Sequence, residues 1–167
     1  FICPDAPERC SVSPTGYQWF DLQNKTSDEI LTKSIVAELK LNELIDEVKE
    51  KNKLNSSQIA IGGFSQGCML ALQTGIKRKD QIKCILGYSG KIIDTDHLSK
   101  NINSRPEIML MHGEKDEVVP VSYLLEAKDF FNKNNYKIQT MIFKGCEHRI
   151  SSEGSSLGLE FIKKNLY

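Results

Sequence analysis

Three side chains of this sequence have the types and the order to act together: a serine set between glycines, an aspartate and a histidine. The serine is Ser65, in Gly63-Phe64-Ser65-Gln66-Gly67, a Gly-x-Ser-x-Gly pattern. A serine hydroxyl attacks a carbonyl well only when a base takes its proton, and the base works best when a carboxylate orients it. Three histidines are available. His97 lies in a polar stretch and reads as a solvated surface residue. His112 closes an apolar run in Met111-His112-Gly113-Glu114-Lys115-Asp116, and His148 stands in Gly145-Cys146-Glu147-His148. Only His148 follows a strand-end acid in the order serine, acid, histidine; Asp116 is the acid chosen, with Glu114 and Glu117 as neighbours that could be mistaken for it. Plainer roles stand beside these: Ser65 as a helix N-cap, Asp116 as the stabiliser of its own turn, His148 as a satisfied surface histidine. Ser89, in Gly87-Tyr88-Ser89-Gly90, lacks the second glycine spacing and reads as a decoy.

Distant residues meet only if the elements carrying them end at one place. The segments 58–64, 82–88, 107–112 and 136–143 read as strands, the first three as short, nearly continuous apolar runs. Between and after them, 66–76 is apolar almost all round and reads as a buried helix, while 121–134 and 155–166 read as helices with one apolar face. Ahead of these, Thr26 and Glu29 fit a capping box opening a long helix whose inward face is Leu31, Ile35, Val36, Leu39, Leu44, Ile45 and Val48. Phe1-Ile2-Cys3 reads as the tail of a strand, and the stretch from Pro4 to about Asn24 as a loop. Strands alternating with helices predict a mostly parallel α/β sheet, whose active groups sit at the carboxyl ends of the strands. Ser65, Asp116 and His148 all follow strands, so they fall on one rim. The tight strand-to-helix turn would expose the Ser65 hydroxyl, its flanking glycines would let the chain pass close to itself, and the Gln66 backbone N–H would be free at a helix start to hold an oxyanion.

The chain has 167 residues, enough for one domain, and no domain boundary is drawn within 1–167. Its formal charge is zero, which gives no footprint for a phosphate backbone, so no nucleic-acid partner is expected. No run is long enough to span a membrane. The five cysteines have no paired spacing, which fits a reducing, cytoplasmic setting, and neither they nor the histidines form a zinc pattern. Cys68 and Cys146 read as small buried hydrophobes, Phe130 and Phe131 as core, and Lys77-Arg78-Lys79 as a solvated helix end. Two glycosylation patterns, at Asn24 and Asn55, read as chance in a chain with no leader at its front. Oligomeric state is not legible.

Taken together, Gly62-Gly63-Phe64-Ser65-Gln66-Gly67, His112-Gly113-Glu114-Lys115-Asp116-Glu117-Val118-Val119-Pro120 and Gly145-Cys146-Glu147-His148 resemble the phospholipase/carboxylesterase family of α/β-hydrolases, which includes acyl-protein thioesterases and lysophospholipases. Pro4-Asp5-Ala6-Pro7 and Trp19-Phe20-Asp21 also resemble family segments. The resemblance implies an α/β-hydrolase fold, a Ser65–His148–Asp116 triad, no cofactor and no metal. It implies small-molecule esters or lipidated molecules as substrates, through ester or thioester cleavage. Trp19 and Phe20 could line an acyl groove or pin the long loop. The family also carries further strands and a His-Gly-x-Gly loop before this point, supplying a second oxyanion donor. Nothing here matches that loop, so a chain beginning at Phe1 is expected to keep only the Gln66 donor, at a cost of roughly 10²–10³ in turnover. The alternative reading is an impaired or inactive α/β-hydrolase remnant serving as a binding or partner-completed module.

Overall fold

The computed structural model describes residues 1–167. The apolar runs form four strands: β3 (Ala60–Phe64), β4 (Cys84–Tyr88), β5 (Glu107–Gly113) and β6 (Ile138–Phe143). All pair in parallel, in the spatial order β3-β4-β5-β6. The register sets Phe64 beside Tyr88, Tyr88 beside Met111, and His112 beside Ile142, so the strands finish at a common rim.

Alternation along the strands explains why both faces are apolar. Ile85, Ile108 and Leu110 point to one face and join Leu72, Ile76, Leu124, Phe130 and Phe131 of helices α2 (Gln66–Lys77) and α4 (Ser122–Lys133). Cys84, Leu86, Met109 and Met111 point to the other face and meet Phe143 and Phe161, the latter on α5 (Ser152–Leu166). A parallel sheet covered on both sides cannot show the polar-apolar alternation of a half-wet one. Burying one such side chain fully, Phe131 for instance, stabilises the fold by about 2–3 kcal/mol. A short α3 (Thr95–Lys100) follows β4, started by the Asp94 carboxylate accepting the His97 N–H.

The long helix α1 (Ser27–Asn52) begins as the sequence predicts. The Glu29 carboxylate accepts the Thr26 N–H, and the Thr26 hydroxyl accepts the Glu29 N–H. Its inward face differs from expectation. Ile45 is buried as expected, but Val36 and Leu39 are 52% and 59% exposed, and Ser34, Ala37 and Glu38 are buried instead. The reason lies across the helix interface. Gln73 donates to Glu38 and Ser34, and Lys77 Nζ reaches Glu38 at 2.6 Å, so polar residues satisfy one another between α1 and α2. Lys77 also donates to His97 Nε2 at 3.1 Å, which places His97 in this network rather than in free solvent. Arg78, expected on a solvated helix end, is 8% exposed and held by Asn42 and Asp46.

The front of the chain also departs from expectation. Phe1-Ile2-Cys3 forms no strand and is exposed. Within the expected loop, β1 (Glu8–Arg9) and β2 (Tyr17–Gln18) make a small antiparallel pair, with the Arg9 guanidinium 4.5 Å from the Tyr17 ring centre.

The two views of α1 are separable by urea unfolding. Leu39→Gln is expected to change stability by no more than about 0.5 kcal/mol, because its side chain is already wet. Glu38→Leu is expected to cost about 3 kcal/mol, because it strands the Lys77 cation between helices.

Candidate active site

Ser65 terminates β3 with φ 52° and ψ −116°, a conformation that costs a non-glycine residue about 1–3 kcal/mol. Its neighbours hold it there. The Ser65 N–H donates to the Tyr88 carbonyl at 2.8 Å, and its carbonyl accepts the Met69 N–H at 3.1 Å as the first bond of α2. The hydroxyl makes no capping bond to the helix, so the N-cap reading is not what the side chain does. One flanking glycine is required: a Cβ on Gly63 would sit 2.1 Å from the Gly67 backbone. Gly67 is different, since a Cβ there meets nothing within 4 Å. The crowding expected of both glycines therefore falls on Gly63 alone.

Gln66, the first residue of α2, presents its backbone at the helix start and uses its side chain elsewhere. The amide accepts the Trp19 N–H at 2.8 Å and donates to the Phe20 carbonyl at 2.6 Å. This clamps the 19–20 segment beside the serine turn. Phe20 itself is 0% exposed and packs with Ala37 and Leu70, while Trp19 is half-buried against the same cluster. Phe20 thus has no surface to offer a ligand; it pins the loop.

Asp116 lies in the turn after β5 with its carboxylate wholly buried. Oδ1 accepts the N–H groups of Val118 at 3.0 Å and Val119 at 2.8 Å; Oδ2 faces His148 Nδ1 at 2.7 Å. The residue both stabilises its own turn and holds the imidazole, so the two readings of it are compatible. Burial alone would raise this carboxyl. The hydrogen bonds from His148 and Val119 outweigh burial and hold its pKa below the ordinary carboxylate value. Since an ionised carboxylate can only accept, Nδ1 of His148 carries a proton, which in the neutral ring leaves the lone pair on Nε2. Glu114 and Glu117 are exposed, and Glu114 instead accepts the Gly145 N–H.

His148 is carried by the loop after β6. That loop lies directly on the end of β5: Lys115 N–H donates to the Cys146 carbonyl at 2.8 Å and Glu114 N–H to Phe143 at 3.0 Å. Gly113 permits the approach, since a Cβ there would come within 2.4 Å of the Cys146 and Glu147 carbonyls. The imidazole also leans on Phe64, the ring centres 4.7 Å apart and tilted by 42°. So Asp116 and His148 are bonded directly, while Ser65 meets His148 through its neighbour Phe64 and has no hydrogen bond to the ring. Neither Cys68 nor Cys84 offers a rival nucleophile: burial pushes the Cys68 thiol up to about 12 and Cys84 to about 11. No group of three or more His, Cys, Asp or Glu side chains is arranged to hold a metal.

Sequence reasoning missed the Phe64 contact and the Gln66 side-chain clamp. It also set His112 aside, yet its Nε2 lies 3.4 Å from Asp116 Oδ2. The only signal for it was its place four residues before the acid, across a turn.

A parallel sheet with a strained serine between strand and buried helix defines an α/β-hydrolase. This chain belongs to the phospholipase/carboxylesterase family, whose profile matches residues 1–166. It is 30% identical to acyl-protein thioesterase 1 of Saccharomyces cerevisiae, over 99% of this chain and 78% of that protein. It is 27% identical to acyl-protein thioesterase 1 homolog 1 of Dictyostelium discoideum, over 99% and 76%. The crystal structure of esterase PE8 matches with a TM-score of 0.93 at 30% identity, covering 99% of this chain and 78% of that one. The Zea mays acyl-protein thioesterase 2 structure shares the fold, at TM-score 0.78 and 19% identity over 99% and 80%. No helix of this chain is long and apolar enough to cross a membrane.

Two outcomes test this geometry. Gly113→Ala is expected to cost about 1–3 kcal/mol in urea unfolding, by forcing the His148 loop off β5, while Gly67→Ala is expected to gain about 0.5–1 kcal/mol. Asp116, depressed in the folded state, contributes stability that is present above the unfolded carboxylate value of about 3.9 and lost as pH falls through the lower folded value. The stability gap between wild type and Asp116→Asn should therefore narrow below about pH 4, as read from urea midpoints.

Proposed function

We propose that this chain is a serine hydrolase of carboxylic esters or thioesters, acting through Ser65, His148 and Asp116. The observation that carries the reading is Ser65 itself: a residue forced into a costly backbone conformation whose hydroxyl caps nothing. Strain of this kind persists where it serves a site. In the proposed reaction Ser65 Oγ attacks the substrate carbonyl while His148 Nε2 takes the hydroxyl proton. His148 returns that proton to the leaving alcohol or thiol. Water then attacks the acyl carbon of the resulting acyl-enzyme as His148 takes its proton; the bond to Ser65 Oγ breaks, the carboxylic acid leaves, and His148 returns the proton to Ser65 Oγ. Asp116 keeps the imidazole in the tautomer that leaves Nε2 free, and stabilises the imidazolium as it forms. The Phe64 ring, its centre 4.7 Å from that of the imidazole, lies close to that charge. The Gln66 N–H, at the positive end of α2, donates to the developing oxyanion. Attack requires the Ser65 hydroxyl to come within hydrogen-bond reach of Nε2, a contact that often tightens only in the substrate complex.

The thioesterase side of this reading rests on the names of the yeast and Dictyostelium relatives, and the ester side on esterase PE8 and the family description. Small-molecule esters and lipidated molecules are the proposed substrates. The proposed setting is the cytoplasm, supported by five cysteines that are all free thiols.

A fluorophosphonate probe is the direct test. Wild type is expected to label at Ser65 and to hydrolyse an activated short-chain ester. Ser65→Ala, shown folded, is expected to lose labelling and to lose at least about 10³-fold in turnover. A folded wild type that neither labels nor turns over would instead support the inactive-remnant reading.

A further inference from the structure

The buried imidazole of His112 has no part in the chemistry above, yet it touches the residue on which that chemistry depends. It sits at the end of β5 with its side chain 1% exposed, beside an Asp116 carboxylate at 0%. Its Nε2 lies 2.7 Å from the Val119 carbonyl. A carbonyl can only accept, so Nε2 carries a proton aimed at Val119, and the same nitrogen lies 3.4 Å from Asp116 Oδ2. Val119 is held at both backbone groups: its N–H donates to Asp116 Oδ1, and its carbonyl accepts from His112. The imidazole thereby closes a ring of contacts: His112 to Val119, Val119 to Asp116, Asp116 back to His112. Without His112, the Val119 carbonyl loses its buried donor and the turn loses one of its two anchors. The carboxylate keeps its Val118 and Val119 donors, but the turn that supplies them is held less firmly against the end of β5.

We propose that His112 is a positioning residue that fixes the Asp116 carboxylate toward His148 by fastening the Asp116–Val119 turn to the end of β5. This rests on the triad reading, and a protein that turned over nothing would remove its kinetic consequence but not its structural one. The test therefore has two readouts. The first is the downfield proton resonance of His148 Nδ1–H, assigned by its absence in His148→Gln. It is expected to shift or vanish in folded His112→Phe and to survive in His112→Gln, whose longer amide can still donate to Val119. The second is turnover. His112→Phe is expected to lower kcat roughly ten- to a hundredfold with KM little changed, as for a misplaced catalytic group, and His112→Gln is expected to recover most of it. In an Asp116→Asn background the same His112→Phe change is expected to cost almost nothing more, because its effect passes through the carboxylate. If His112→Phe does not fold, His112→Asn, whose amide is too short to reach Val119, takes its place with the same expectations. An unchanged His148 resonance in folded His112→Phe, or in folded His112→Asn where that replaces it, overturns the proposal, as does unchanged kcat of that variant in an enzyme that labels at Ser65. Failure of wild type to label, with the resonance still lost in His112→Phe, counts against the hydrolase reading and leaves the positioning role supported.

Discussion

The contact between Asp116 Oδ2 and His148 Nδ1 is the interaction on which the site depends, and it joins two loops that no single element could bring together. Asp116 belongs to the turn after β5; His148 belongs to the loop after β6. A buried carboxylate is costly unless its lone pairs are answered. Here the Val118 and Val119 amides answer one oxygen and the His148 ring the other. That arrangement makes the charged form the favoured one despite burial, and an ionised Asp116 in turn fixes which nitrogen of His148 holds the proton. Fold stability and the orientation of the His148 ring thus draw on the same few bonds.

Backbone constraints prepare this contact from both sides. Parallel pairing of β5 with β6 ends with Gly113 opposite Phe143, and the bare Cα of Gly113 lets the carbonyls of Cys146 and Glu147 close over it. On the neighbouring strands, Gly63 lets α2 begin directly against β3, which forces Ser65 into its strained turn. Phe64, between Gly63 and Ser65, then places its ring on His148. The Gln66 amide fastens the Trp19–Phe20 segment to the same corner, where Phe20 contributes packing rather than a ligand surface. Each component is short-range, yet together they converge because the strands end at one rim.

Much of this was legible in the residue order. The strands β4 and β5 read as apolar runs because both sheet faces are covered, and the α1 start was legible because a capping box is a local device. The inward face of α1 was legible only in part. Ranking positions by apolarity selected Val36 and Leu39, whereas Glu38 and Ser34 are buried because Gln73 and Lys77 on another helix satisfy them. Arg78 and His97 were misjudged as solvated for the same reason: their partners come from α1 and α2, far away in the chain.

By itself the sequence determined the alternation of strands and helices, the serine turn and the order of serine, acid and base, because these depend on periodicity, steric size and side-chain type along a few neighbouring residues. Only the tertiary structure decided that Asp116 serves its own turn and His148 at once, that Gly63 and not Gly67 is sterically required, and that His112 backs the acid. Those are statements about which atoms share a buried space. Hydrogen-bond reach across a folded interior is set by how strands and loops pack, and no local pattern encodes it.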